Sequence, residues 1–326
     1  MTAAVRTPPA PEGGTSRRRA GSVALAVGAA LGWASYYLFV LWDSPGTAPS
    51  AILFYPFAFG GLAFGVLAAA TGVGGAFLRQ WLNPAAYLRT ALMLAMQLSV
   101  LASTYLAGPV VAALLSLIGD VVVTPILAAA LFAGPRAAFR RPALLVGLIL
   151  SLSGGTLAIV GGHRIAAVHG WGWVAIFGAP LAVGLYFLLA ARASDEAPNT
   201  AVVGQSMVGA ALGAGAVAPW VPGGWAGLAR LSAVPTSLLA VNGLVSFFAA
   251  PLLYFASIRR EGIVLPPMLM TAIPIFTLAF SVGVLHQPAP GLALLGIPIA
   301  VVGAVLTLRA IAPASTPEER WGPAGA

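Results

Sequence analysis

The sequence predicts an all-α integral membrane protein with ten transmembrane helices, arranged as two five-helix repeats of inverted topology. Three observations predict it: a composition too apolar for water, ten apolar segments long enough to span, and arginines that alternate from loop to loop. The 326 residues are 60% hydrophobic and 7% charged, with 16 basic and 8 acidic side chains. A soluble domain carries about a quarter charged residues, and its surface would have too little polar material here to face water. A lipid solvent removes the conflict.

The segments follow in order. Residues 1–20, rich in Pro, Gly and Thr and closing on Arg17-Arg18-Arg19, read as a disordered cytoplasmic tail. Spans of roughly 20 apolar residues are then expected over 21–42, 49–70, 86–106, 108–133, 142–161, 170–191, 199–219, 233–256, 262–286 and 289–312, with a second tail over 313–326. The first span is too long for the apolar core of a signal peptide. Gly108-Pro109 and Gln287-Pro288 read as tight turns, because proline ends one helix and opens the next. Residues 220–232, with Trp220 and Trp225, read as a loop at interfacial depth.

Arginine fixes the direction of each crossing. The tail and every second loop hold Arg6, Arg17, Arg18, Arg19, Arg79, Arg89, Arg136, Arg140, Arg141, Arg192, Arg259, Arg260, Arg309 and Arg320, whereas the opposite side holds Arg164 and Arg230. A miscounted helix would scramble this pattern from the error onward, so the positive-inside rule puts both termini in the cytoplasm. The expected location is therefore the cytoplasmic membrane. The net charge of +8 reflects topology, and nothing clusters it for nucleic acid.

The two halves, 21–161 and 170–312, resemble each other. Tyr105 precedes segment four, which carries Pro125, and Gly147 and Gly154 follow in segment five; Tyr254 precedes segment nine, which carries Pro274, and Gly296 and Gly303 follow in segment ten. Tyr36 and Tyr37 in segment one answer Tyr186 in segment six. Because each repeat has an odd number of helices, the second must enter the membrane from the other face, a construction common in secondary transporters.

The stretch Pro274 to Leu306 resembles the end of an EamA-type domain of the drug/metabolite transporter superfamily. In that pattern a proline-bearing helix leads to a Gly-Glu turn and then to a helix with two glycines seven apart. His286-Gln287 stand at the turn here, followed by Gly296 and Gly303. The first half fits more loosely, with Gly134-Pro135 at the turn and Gly147 and Gly154 in the helix. The resemblance implies ten helices, inverted five-helix repeats and export of amino acids or related metabolites.

Asp120 is the one acid set deep in a span, about 12 residues from either end of segment four. A charge at that depth costs about 2.5–3.5 kcal/mol on insertion scales, so such residues usually face a cavity. It reads as a proton carrier or as the counter-ion of a substrate ammonium; the alternative is a neutral structural contact between helices. Gln97, Gln205 and Asn242 are deep amides that must find partners, either across helices or on a substrate. Trp33, Tyr36, Tyr37, Tyr105, Tyr186 and Tyr254 combine apolar rings with polar tips and suit an amphipathic small molecule. Pro125, Pro266, Pro267 and Pro274 are candidates for helix breaks at a gate, since irregular backbone at depth survives where it lines a cavity or packs on protein. The glycine pairs Gly28/Gly32, Gly61/Gly65 and Gly209/Gly213 read as helix-packing contacts.

No catalytic residue, metal site or cofactor motif is expected: His163, His169 and His286 share no position, the residues before Asp120 lack the first glycine of the aspartyl intramembrane protease motif, and no Walker sequence occurs. The expected partners are a small-molecule substrate, the bilayer and, if Asp120 titrates, protons. A channel or a membrane receptor or scaffold is the rival reading. The oligomeric state, the substrate and the direction of transport are left open by the sequence.

Overall fold

In the computed structural model, residues 12–43, 46–131, 137–160, 171–230, 233–261, 269–287 and 291–310 are described. Proline and glycine punctuate the helices as the sequence suggests. They are α1 (Glu12–Asp43), α2 (Pro49–Ala70), α3 (Gly74–Gln80), α4 (Pro84–Ala107), α5 (Pro109–Leu131), α6 (Pro142–Val160), α7 (Trp171–Glu196), α8 (Asn199–Val217), α9 (Gly224–Ala229), α10 (233–261), α11 (Ile273–Gly283) and α12 (Gly291–Ala310). Pro84 opens α4 behind an Asn83 cap that accepts from the Ala85 amide at 3.0 Å. Gly108 takes φ 94° in the turn to α5, a backbone that side-chain-bearing residues rarely adopt.

Seven of these helices are long and apolar enough to cross a bilayer; the apolar parts of α6, α11 and α12 within the described residues are shorter. Their outward faces carry Leu62, Val66, Phe177, Leu212 and Leu295, each more than 60% exposed. Such a surface needs hydrocarbon around it. The protein is therefore a multi-pass membrane protein.

Four local features depart from the sequence reading. First, α1 begins at Glu12, so residues 12–20 continue the first helix where a disordered tail was expected. Extending a formed helix costs little, and arginine is a good helix former. Second, the loop between the second and third spans contains α3, and Arg89 of α4 donates from Nη2 to Gln80 Oε1 of α3 at 2.7 Å. Third, the expected loop 220–232 contains α9, whose Trp225 donates from Nε1 to the Gly215 carbonyl at 2.9 Å. Fourth, two spanning helices widen into π turns, at Gly119–Val123 in α5 and Gly243–Ala249 in α10. Pro266 and Pro267, with His163 and His169, lie outside the described residues.

The helices pair in a regular way. α6 runs along α12, α2 along α8, and α5 against α11. α4 packs on α7 and α10 on α1; α5 packs on α7 and α11 on α1; α4 packs on α8 and α10 on α2. If α1, α2, α4, α5 and α6 are matched with α7, α8, α10, α11 and α12, each contact either maps onto itself or onto another member of this set. The sequence carries the same correspondence: Tyr37/Tyr186, Pro49/Pro198, Gly60/Gly209, Tyr105/Tyr254, Pro125/Pro274, Gly147/Gly296 and Gly154/Gly303 are all 149 residues apart.

Lipid supplies no hydrophobic force between helices, so close packing of small residues must do it. At the α6–α12 seam a Cβ on Gly147 would meet the Thr307 amide nitrogen at 2.5 Å, and one on Gly154 would meet the backbone of Ala300 and Gly296. The backbones touch there. Of the glycine pairs expected to pack, Gly28, Gly32, Gly61, Gly209 and Gly213 all face a neighbouring helix, whereas Gly65 faces open space.

Candidate functional site

Between the two halves lies a cavity of about 130 Å³. On this measure a single water needs roughly 10–15 Å³, so there is room for a small organic molecule. The first half contributes Trp33, Tyr36 and Tyr37 from α1, Met93, Met96, Gln97 and Val100 from α4, and Ser116, Leu117 and Asp120 from α5. The second half contributes Val183, Tyr186 and Phe187 from α7, Val203 and Met207 from α8, and Ser246, Phe247, Pro251 and Phe255 from α10, with Met270 and Ile273 before and in α11.

Local backbone explains several of these positions. The π turn of α5 carries Asp120 and brings it to the cavity wall, and such wide turns often mark functional sites. Thr124 braces the turn, donating from Oγ1 to the Gly119 carbonyl at 3.0 Å and to the Gly184 carbonyl of α7 at 3.3 Å. Gly119 and Gly184 let these helices meet: a Cβ on Gly119 would lie 2.6 Å from the Pro180 carbonyl oxygen, and one on Gly184 would lie 2.8 Å from Val123. The second π turn carries Ser246 and Phe247, and Ser246 Oγ donates to the Gly32 carbonyl of α1 at 2.8 Å.

Polar groups on the wall differ in how well they are satisfied. Tyr37 and Ser116 share a hydrogen bond of 3.0 Å, and Ser116 also donates to the Ala112 carbonyl, which leaves the Tyr37 hydroxyl as the donor between the two. Tyr36 lies within hydrogen-bonding reach of Gln97, but neither its hydroxyl nor the Gln97 amide nitrogen has a partner in good hydrogen-bond geometry. Both residues are about 95% buried. Buried polar atoms in native proteins are nearly always paired, so an unpaired set on a cavity wall invites a ligand.

Six of the residues singled out in the sequence line this cavity: Trp33, Tyr36, Tyr37, Gln97, Asp120 and Tyr186. The other four lie elsewhere. Tyr254 stands behind the wall, its ring 5.2 Å from Trp33 and 6.2 Å from Phe187. Tyr105 packs against the central core. Gln205 links α8 to α4, donating from Nε2 to Thr90 Oγ1 at 3.1 Å, which is the interhelical contact expected of a buried amide. Asn242 is fully buried just before the π turn of α10, and neither of its side-chain polar atoms has a hydrogen-bond partner. Pro125 and Pro274 lie in α5 and α11, off the lining. Sequence reasoning missed the four methionines, Met93, Met96, Met207 and Met270, and the rings of Phe187, Phe247 and Phe255.

Residues 170–309 match the model of the EamA-like transporter family. That stretch is similar to an EamA-like domain. That family belongs to the drug/metabolite transporter superfamily, so the chain is similar to membrane transporters of that type. The match spans the second half and leaves the first half uncovered. Six solved chains are similar to this one. One of them, described as "Crystal structure of protein", superposes with a TM-score of 0.60 at 20% identity, covering 88% of this chain and 96% of that one. At that identity the likeness is one of fold. No curated protein matches.

Proposed function

We propose that this EamA-like protein is a secondary-active transporter that moves a small organic metabolite out of the cell by alternating access. The moving parts are two inverted repeats of five helices, 21–161 and 170–312, in a cytoplasmic membrane with both termini inside. The observation that carries this reading is the cavity itself: both halves line it, and Tyr37 of one and Tyr186 of the other stand at corresponding positions. The pairwise packing of the helices, which is preserved when the halves are exchanged, supports the repeat. Two similar bundles of opposite orientation can trade conformations, closing one gate as the other opens.

Amino acids are the substrates that the family resemblance suggests. Asp120 is the residue assigned to coupling or to substrate charge, with Trp33, Tyr36, Tyr37, Gln97 and Tyr186 as its companions on the wall. Tyr105, Gln205, Asn242 and Tyr254 act behind it, and Pro125, Pro266, Pro267 and Pro274 are assigned to helix breaks at the gates.

The test is uptake into proteoliposomes preloaded with unlabelled metabolite extract. A carrier exchanges solutes, so labelled substrate enters faster into loaded vesicles than into empty ones. Uptake that is equal in both and never saturates points to a channel and overturns the proposal, as does an absence of flux for every metabolite fraction.

A further inference from the structure

We infer that the cavity selects an organic monocation: a protonated amine on a flat apolar body, with no carboxylate of its own. This rests on the transporter reading for its physiological sense, and it replaces the amino acids that the family resemblance suggests with a different substrate class. Asp120 is the sole charged residue among the described residues that line the cavity, and no arginine or histidine stands there with it. The ammonium of a substrate would meet that carboxylate, but the carboxylate of an amino acid would find no cation and would share an apolar enclosure with a like charge. Arg89 is buried in α4 behind Tyr186, close enough to interact with it electrostatically; it lies off the lining, with Nη2 held by Gln80 and Nε without a partner.

The rest of the wall agrees with a cation. Trp33, Phe187 and Phe247 present rings, whose faces attract positive charge and whose area suits a flat body. Met96 and Met207 add polarisable, adaptable surface that fits several shapes. The Tyr36 hydroxyl and the Gln97 amide nitrogen, neighbours without a well-formed hydrogen bond, can donate to a neutral acceptor on the substrate such as an ether or carbonyl oxygen. A neutral acceptor answers these donors without bringing negative charge near Asp120.

Four probes sharing one ring test this: phenethylamine, phenylalanine, 3-phenylpropionate and 2-phenylethanol. Calorimetric titration of the purified full chain in detergent is expected to show phenethylamine binding at least tenfold tighter than phenylalanine, with 3-phenylpropionate weaker still. Asp120→Asn is expected to lower phenethylamine affinity at least tenfold and leave 2-phenylethanol unchanged, which also reports that the cavity is intact. Phenylalanine binding as tightly as phenethylamine, or no binding of phenethylamine at millimolar concentration, overturns the inference. An unchanged preference in Asp120→Asn overturns it too. If that variant does not fold, the ranking of the four probes on the unaltered chain decides. Counterflow of phenylalanine but not phenethylamine sinks the substrate class and leaves the transporter standing; tight phenethylamine binding without flux of any solute does the reverse.

Discussion

Gly119 joins packing to the site, so replacing it with alanine perturbs both. A Cβ there would sit 2.6 Å from the Pro180 carbonyl oxygen, 2.7 Å from Val183 Cβ and 2.9 Å from Pro180 Cα. Two of these three atoms are backbone of α7, which cannot step aside as a flexible side chain would. Relief requires α5 and α7 to part by several tenths of an ångström. Overpacking of a tight interior costs about 1–3 kcal/mol, and a clash with backbone belongs at the upper end. Against this, alanine in a helix is favoured over glycine by about 1 kcal/mol, leaving a net loss of about 1–2 kcal/mol. Parting these helices also moves the neighbouring Asp120. Gly119→Ala should therefore lower the thermal unfolding midpoint in detergent by several degrees and impair transport, followed by intrinsic tryptophan fluorescence and proteoliposome uptake. Gly65→Ala is the control, because a Cβ there meets nothing within 4 Å; it should leave both measurements unchanged or slightly improved. Equal behaviour of the two variants would refute the reasoning.

Three further outcomes are expected. Gly154→Ala at the α6–α12 seam should destabilise the fold by about 1–3 kcal/mol in chemical unfolding, because its Cβ meets the backbone of Ala300 and Gly296. Asp120→Asn should flatten the pH dependence of transport in vesicles clamped at different pH; a wild-type profile would remove this carboxylate from proton coupling. Gln205→Met should change stability by less than about 1 kcal/mol in the same unfolding assay, since it gives up one interhelical hydrogen bond but also removes a buried carbonyl oxygen that has no partner.

Seven of the ten expected spans are matched by helices long and apolar enough to cross, and they were legible because a bilayer imposes simple demands of length and apolarity. Asp120 stood out because a carboxylate at depth needs a reason, and Tyr37 and Tyr186 stood out because they recur. The π turns left no trace in the sequence. Gly119–Val123 and Gly243–Ala249 differ from their neighbours in hydrogen-bond register, not in composition. The methionines were invisible for a related reason: Met93 or Met207 in an apolar helix reads the same whether it faces a cavity, a neighbour or lipid. Tyr254 stands off the lining because its ring packs at a tilt against Trp33, which takes the place at the wall. The short helices α3 and α9 are seven and six residues long, too brief for periodicity to distinguish from loop.

The chain contains no cysteine, so a single introduced thiol reports on the cavity without background. The most direct measurement is labelling of Met207→Cys by a membrane-impermeant maleimide applied separately to inside-out and right-side-out vesicles. Alternating access predicts that the thiol is reached from either face, with substrate shifting the balance between them in opposite directions. A thiol reachable from one face alone under every condition, or from both faces with equal and substrate-independent rates, contradicts a carrier built from two exchanging halves.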